Sequence, residues 1–247
     1  MLIGKVELEK ICVDLENTRV IDQLTLDINQ GEFVAILGAN GTGKTTLLKV
    51  ILGLLPIAHG SVSTNSDNIG YIPQRLPIQG GVPISVAEYI STGLRVKKIN
   101  PFWIKSFESK LITQVLNTIR LLSIKNSNLY NLSAGQQRRV MIARALISNP
   151  DILLLDEPTA GIDSESQKSL KDILSNYKKN LKTIILVTHE LEILETLVDR
   201  VIVLGTKIRG SVIYDGGLPV PKHLNSIAHH SHEETINTKS ILGMNNA

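Results

Sequence analysis

The sequence is poor in the features that mark secreted, membrane-spanning and nucleic-acid-binding proteins. Its single cysteine, Cys12, excludes an internal disulfide and agrees with a reducing compartment. No run approaches the ~20 apolar residues that cross a bilayer, and the charged start MLIGKVELEK is unlike a signal peptide. The net charge of +3 is too small to indicate nucleic-acid binding. We therefore expect a soluble cytosolic protein without a nucleic-acid partner.

The apolar residues that are present predict an α/β fold. A hydrophobic content of 43% in 247 residues suffices for one large domain, alone or with a subdomain. Continuous apolar runs at 33–37, 152–155 and 184–187 predict strands buried on both faces. Shorter strands are predicted at 6–8, 24–28, 201–204 and 211–214. Helices are predicted from Lys44 to Leu55, on a face with Leu111, Val115, Ile119 and Leu122, and on a face with Leu170, Ile173, Leu174 and Tyr177. This alternation implies a mostly parallel sheet wrapped by helices.

A glycine-rich loop follows the first apolar run. Residues 38–45, GANGTGKT, fit the pattern G-x-x-x-x-G-K-[ST] between a strand and a helix. The glycines let the backbone curl so that its N–H groups coordinate phosphate oxygens. Lys44 can then reach the β- and γ-phosphates, and the Thr45 hydroxyl can ligate Mg²⁺. The predicted nucleoside triphosphate site comprises Gly38, Ala39, Asn40, Gly41, Thr42, Gly43, Lys44, Thr45 and Thr46.

Two acids, Asp156 and Glu157, end the apolar run at 152–155. On a strand next to the phosphate loop, Asp156 would hold Mg²⁺ through its hydration shell. Glu157 would face the water that attacks the γ-phosphate and act as general base. Acids often end strands, so the pair indicates a hydrolytic site only in combination with the phosphate loop.

A second motif, LSAGQ at 132–136, permits two interpretations. Ser133 and Gln136 form a capping box, and a helix with Val140, Ala143 and Ile147 on one face follows. The first interpretation is therefore a well-capped helix. The second is that the small Ala134–Gly135 start lets the helix N-terminus approach another phosphate.

In order and spacing, these segments resemble the ATP-binding-cassette ATPases from about Val6 to Asp215. The resemblance also includes YIPQ at 71–74, AGID at 160–163 and His189 after an apolar strand. It implies a P-loop (RecA-like) parallel-sheet core, an antiparallel β subdomain and an inserted helical subdomain at about 75–148. The cassette would occupy residues 1–220, and residues 221–247 would form a flexible tail.

The resemblance implies roles for individual residues. Gln74 would act in catalysis and, with Thr45 and Asp156, at the Mg²⁺ site, which it would link to a membrane partner. His189, which alone would be interpreted as a surface histidine, would hold the γ-phosphate and position the water. The residues implied to act across a dimer of cassettes are Ser133, Gly135, Gln136 and Asp163.

The sequence departs from the family pattern at two positions. Ala134 stands where glycine is usual, which adds a methyl group near the approach to phosphate. The family usually has an aromatic residue that stacks on adenine, but no aromatic precedes Phe33. The corresponding position falls near Leu15, so we expect a weaker adenine contact.

Among ATPases of this kind, a single cassette resembles a transporter subunit. DNA-maintenance cassettes insert coiled coils, but no heptads separate Thr45 from Leu132. Translation cassettes carry two copies in one chain, and 247 residues hold one. We expect two copies docked on a multi-span permease at the cytoplasmic face of the membrane, with an extracytoplasmic metal-binding protein. A soluble, non-transport ATPase of this family is the alternative.

The transported substrate is indicated only by one loop. Residues 69–75, followed by 83–86, are similar to the zinc and manganese importer branch. The alternative interpretation is that this loop only packs under the membrane subunit and does not indicate the substrate. Haem, siderophore-iron or cobalamin import is the nearest alternative. Four of the six histidines, His223, His229, His230 and His232, lie within ten residues. This segment is either a solvated tail or a weak Zn²⁺ site.

Overall fold

The structure, a computed structural model, describes residues 4–76, 83–94, 101–161, 163–189, 191–205, 210–221 and 224, without the side chains of 101–106. The strands are β1 Val6–Leu15, β2 Thr18–Ile28, β3 Phe33–Leu37, β4 His59–Thr64, β5 Ile69–Ile72, β6 Ile152–Asp156, β7 Thr183–Val187, β8 Arg200–Leu204 and β9 Val212–Gly216. The α-helices are α1 Lys44–Ile51, α2 Val86–Ser91, α3 Pro101–Thr118, α4 Ala134–Leu146 and α5 Ser164–Lys179.

The larger sheet has the strand order β5-β6-β7-β3-β8-β9. Its strands pair in parallel except at β9, which runs antiparallel to β8. Every residue of β3, β6 and β7 is buried, as the continuous apolar runs predict. The mostly parallel core is thus confirmed. Because β7 lies between β3 and β6, the strand that ends in Asp156 is not the immediate neighbour of the strand before the phosphate loop.

The smaller sheet is antiparallel, with the order β2-β1-β4, and confirms the predicted antiparallel part of the fold. β1 and β2 form a long hairpin whose two turn residues, Glu16 and Asn17, have φ of 46° and 65°. Turns with two positive φ angles match the right-handed twist of paired strands. The predicted strands at 6–8 and 24–28 are only the parts of β1 and β2 that lie farthest from this turn.

Between β5 and β6 the described α-helices are α2, α3 and α4, which lie within the segment predicted to be helical. Ile112 and Leu116 are buried on one face of α3, and Ile119, the residue after the helix, is buried as well. The prediction that Leu122 shares this face is wrong, since Leu122 is 40% exposed in a short 3₁₀ helix, Leu122–Ile124. Arg120, with φ of 55°, turns the chain out of the helix before Leu122 is reached.

Helix α1 ends at Ile51, four residues earlier than the sequence prediction of Leu55. Gly53 has φ of 69° and donates its N–H to Val50 O at 2.9 Å. The N–H of Leu54 donates to Lys49 O at 2.8 Å. This pair of hydrogen bonds around a left-handed glycine is a Schellman C-cap, so Gly53 and not Pro56 ends the helix.

The packed part of the chain continues slightly beyond residue 220. Leu224 is buried with Val220 in a cluster that includes Leu37 and Val203 of the main sheet. The four histidines of the predicted tail lie outside the described residues, as does the segment 225–247. None of the described helices combines the length and apolar character that crossing a bilayer requires.

Candidate nucleotide site

The phosphate loop joins β3 to α1 at the carboxyl edge of the main sheet. Gly38, Gly41 and Gly43 have φ of 148°, 82° and 94°, a backbone region that favours glycine. At Gly38 a Cβ would lie 2.7 Å from Leu204 O, so a side chain there would collide with β8. The sequence pattern of the loop therefore reflects both its curvature and its close approach to the sheet.

Lys44, the first residue of α1, is buried beneath the loop. Its Nζ donates hydrogen bonds to Gly38 O at 2.6 Å and Ala39 O at 3.0 Å. Burial lowers the pKa of Lys44, and the negative charges of Glu157 and Asp156 oppose this shift. The loop thus holds an ammonium group where phosphate oxygens can replace carbonyl oxygens as its partners.

Asp156 and Thr45 face each other across the site. The Thr45 hydroxyl donates to Asp156 Oδ1 at 3.2 Å, and the Tyr71 hydroxyl lies 3.5 Å from Oδ2. Burial raises the pKa of Asp156, and the hydrogen bond from Thr45 opposes the rise. Burial also raises the pKa of Tyr71 to about 12, which keeps the phenol protonated as a donor. The paired carboxylate and hydroxyl oxygens are ligands that suit Mg²⁺.

Glu157 follows directly and turns the chain out of the strand. It is only 7% exposed, its φ is 49°, and its N–H donates to Val187 O at 2.8 Å. Consecutive side chains of a strand point to opposite faces of the sheet. Because Glu157 has a left-handed backbone conformation, its side chain and that of Asp156 can face the same site. Nδ1 of His189, two residues after the end of β7, lies 2.8 Å from Glu157 Oε2. The structure thus places the predicted base beside the predicted histidine.

Lys44, Thr45, Asp156 and Glu157 lie around a cavity of about 320 Å³. Its lining residues are Val20, Asn40, Gly41, Gly43, Lys44, Thr45, Thr46, Gln74, Asp156, Glu157 and Val187. Gln74 is brought to the phosphate loop from the end of β5, although the two are distant in sequence. The apolar residues Val20 and Val187 are additions that no sequence motif indicates.

Gly38, Ala39, Thr42 and His189 do not line this cavity but contact residues of the phosphate loop or Glu157. Four other predicted site residues form a second group. Ser133 Oγ accepts from Gln136 N–H at 3.3 Å, and Ser133 N–H donates to Gln136 Oε1 at 3.0 Å, which confirms the capping box. Asp163 caps α5 and accepts from Ser166 N–H at 2.8 Å, a bond that lowers the pKa of this carboxyl group. A Cβ on Gly135 would lie 2.8 Å from Asp163 Oδ2. None of Ser133, Gly135, Gln136 and Asp163 lines the cavity at the phosphate loop.

Leu15, the residue expected near adenine, ends β1 at the hairpin turn and is half-buried. It does not line the cavity, whereas Val20 of β2 does.

A Leu15→Tyr substitution is expected to tighten ATP binding by about 1 kcal/mol, because an aromatic ring can stack on the base. Calorimetric titration with ATP and with GTP checks this. Equal affinity in the variant and the original chain would place the adenine contact elsewhere.

A buried strand, a glycine-rich loop with its lysine, and an acid pair at the same sheet edge define a P-loop nucleoside triphosphatase. The sequence profile described as "ABC transporter" matches residues 21–160. Two similar curated proteins are the zinc import ATP-binding protein ZnuC of Vibrio cholerae serotype O1 and the high-affinity zinc uptake system ATP-binding protein ZnuC of Bacillus subtilis. The first is 31% identical over 92% of this chain and 84% of its own. The second is 35% identical over 80% and 89%.

Solved structures agree with this assignment. CbiO1 of Clostridium perfringens, part of the ABC transporter complex cbiONQ, is similar with a TM-score of 0.69 and 28% identity over 86% of this chain and 88% of its own. A dimeric ATP-binding cassette bound to ADP and Pi is similar with a TM-score of 0.73 and 27% identity, over 87% and 100%. The chain belongs to the ABC transporter family and is an ATP-binding cassette ATPase.

Proposed function

We propose that this chain is the ATP-hydrolysing subunit of a zinc importer. The observation that carries the proposal is similarity to zinc import ATP-binding proteins along 80–92% of the chain, at 31–35% identity. The nucleotide cavity supplies the chemistry that such a subunit needs. Manganese import, and import of haem, siderophore-iron or cobalamin, are the competing assignments.

In the proposed reaction the phosphate loop and Lys44 hold the β- and γ-phosphates. Thr45, Asp156 and Gln74 would hold Mg²⁺, which when bound neutralises phosphate charge. Glu157 accepts a proton from water as the water oxygen attacks the γ-phosphorus, and the bond from this phosphorus to the β,γ-bridging oxygen breaks. His189, 2.8 Å from Glu157, orients that carboxylate and contacts the γ-phosphate.

The second group of residues supports a dimer in which each site is shared. Ser133, Gly135, Gln136 and Asp163 lie outside the cavity of their own chain. In a head-to-tail pair, the N-terminus of α4 would meet the γ-phosphate held by the opposite chain, where its N–H groups and dipole favour negative charge. Binding would close the pair, and hydrolysis would reopen it.

We further propose that the pair docks on a multi-span permease at the cytoplasmic face of the membrane, together with an extracytoplasmic metal-binding protein. The cassette would comprise residues 1–220, with a helical subdomain at about 75–148 and a tail at 221–247. The described α-helices between β5 and β6 support the subdomain assignment.

A transport assay in cells deleted for this chain tests the substrate. Deletion is expected to lower uptake of radioactive zinc at limiting concentration and to leave manganese uptake unchanged. The original chain is expected to restore zinc uptake, and a Glu157→Gln chain expressed at the same level is not. Normal zinc uptake in the deleted cells, with loss of manganese or haem uptake, would contradict the zinc assignment and favour the corresponding alternative.

A further inference from the structure

Arg138, in the second turn of α4, is a buried cation that no sequence motif singles out. Its side chain is 4% exposed, and the five hydrogen bonds described for its guanidinium all go to backbone carbonyl oxygens. The acceptors are Pro73 O at 2.6 Å, Gln74 O at 3.1 Å, Asp156 O at 3.2 Å, Pro158 O at 3.0 Å and Glu157 O. The planar, five-donor shape of a guanidinium suits such a set of acceptors, whereas an ammonium is a single point of charge.

Apart from that of Asp156, the last residue of β6, these carbonyls belong to two separate loops. One loop follows β5 and contains Gln74, and the other follows β6 and contains Glu157. β5 and β6 are paired in parallel, with Ile72 opposite Leu155, so the loops leave the sheet side by side. Both loops place side chains in the cavity, and the guanidinium of Arg138 bonds to the backbone of both.

The charge environment agrees with a cation at this place. Burial lowers the pKa of Arg138 to about 10, and the negative charges of Asp156 and Glu157 oppose the shift. A guanidinium stays protonated in proteins, so every one of its donors is available. A buried cation is costly unless its hydrogen bonds are satisfied, and the two loops provide that satisfaction.

We propose that Arg138 is a positioning residue for ATP hydrolysis, which fixes the Gln74 loop and the Glu157 loop relative to each other and to α4. The proposal rests on the proposed roles of Gln74 and Glu157, because Arg138 acts through them. It also connects these residues to the helix that begins beside Ser133. In the proposed dimer Ser133 approaches the opposite site, and Glu157 is the base of its own chain's site. The side chain of Arg138 thus joins the helix that begins beside Ser133 to Glu157.

The test is Arg138→Lys in the full chain, with Arg138→Met, which also removes the charge and is expected to lower kcat at least as much, as a second variant. Lysine keeps the charge but cannot span both loops, so kcat is expected to fall about 10- to 100-fold, as when a catalytic geometry loses its supporting contacts. ATP affinity measured without Mg²⁺ is expected to stay nearly unchanged, because the contacts of Lys44 and the phosphate loop do not involve Arg138. Nucleotide-binding sites are counted in each preparation and kcat is calculated per binding site, so that unfolded protein does not lower its value.

Arg144→Lys is the matched control on the same helix. Arg144 donates to Thr92 Oγ1 at 2.7 Å and lies 5.4 Å from the centre of the Tyr89 ring, away from both loops. Its substitution is expected to leave kcat and affinity unchanged. An unchanged kcat per site in Arg138→Lys, or a parallel loss of kcat and affinity, would overturn the proposal. An equal loss of kcat in Arg144→Lys would do the same.

The Glu157→Gln variant separates this proposal from the one on which it rests. Normal turnover in Glu157→Gln would remove the proposed base, whatever Arg138 does. An inactive Glu157→Gln chain together with a fully active Arg138→Lys chain would leave the base in place and overturn only the positioning role.

Discussion

A Glu157→Gln chain is expected to bind ATP with Mg²⁺ and to hydrolyse it about 10²- to 10⁴-fold more slowly than the original chain. An amide preserves the shape of the side chain but cannot take the proton of the attacking water. The position tolerates this exchange, because the backbone bonds of Glu157 to Val187 and Arg138 do not use its carboxylate. ATP-bound dimers are expected to accumulate, since closure no longer leads to hydrolysis.

Phosphate release and nucleotide titration measure the two expectations separately, and size-exclusion chromatography with ATP reports the dimer. Glu165→Gln is the matched control, since Glu165 is an exposed acid in the first turn of α5. It is expected to behave as the original chain. Near-normal turnover in Glu157→Gln would show that another group is the base.

A Lys44→Ala chain is expected to lose nucleotide affinity itself, by about 100-fold or more. In the proposed complex the ammonium is a buried cation bonded to phosphate oxygens, and removal of one partner from such a charged pair costs about 2–5 kcal/mol. The carbonyls of Gly38 and Ala39, which now accept from Nζ, cannot replace a positive charge. Binding is thus affected before any chemical step.

Titration calorimetry with ATP and Mg²⁺ checks the Lys44 prediction. Lys49→Ala, an exposed lysine on the same helix, is the matched control and is expected to bind as the original chain does. Unchanged affinity in Lys44→Ala would mean that the phosphates are held elsewhere. Equal losses in both variants would indicate a disturbed α1 rather than a lost phosphate contact.

The sequence predicts those parts of the site that depend on local pattern. The phosphate loop needs its glycines for curvature at neighbouring positions, so a short motif with a strand before it and a helix after it is sufficient. The buried strands before Gly38 and Asp156 are equally visible, because both faces of a central parallel strand are apolar. The capping box at Ser133 is local as well, and it is present as predicted.

The parts that depend on tertiary structure are not visible in the same way. Arg138 would be assigned to an exposed helix surface by its charge, and only the meeting of α4 with two loops makes it a buried donor. Tyr71 reaches Asp156 across the β5–β6 pair, and no spacing in the sequence encodes that contact. The position of β7 between β3 and β6 is likewise a property of the sheet, since sequence order does not give strand order.

The separation of the site residues into two groups within one chain has a genetic consequence. In the proposed head-to-tail pair, the cavity at Glu157 and the motif at Ser133 belong to different sites. A chain damaged only at Glu157 and a chain damaged only at Ser133, when paired, would carry both defects in one site and leave the other site whole. Two alleles that are each inactive alone would then complement each other, whereas two alleles damaged in the same group would not.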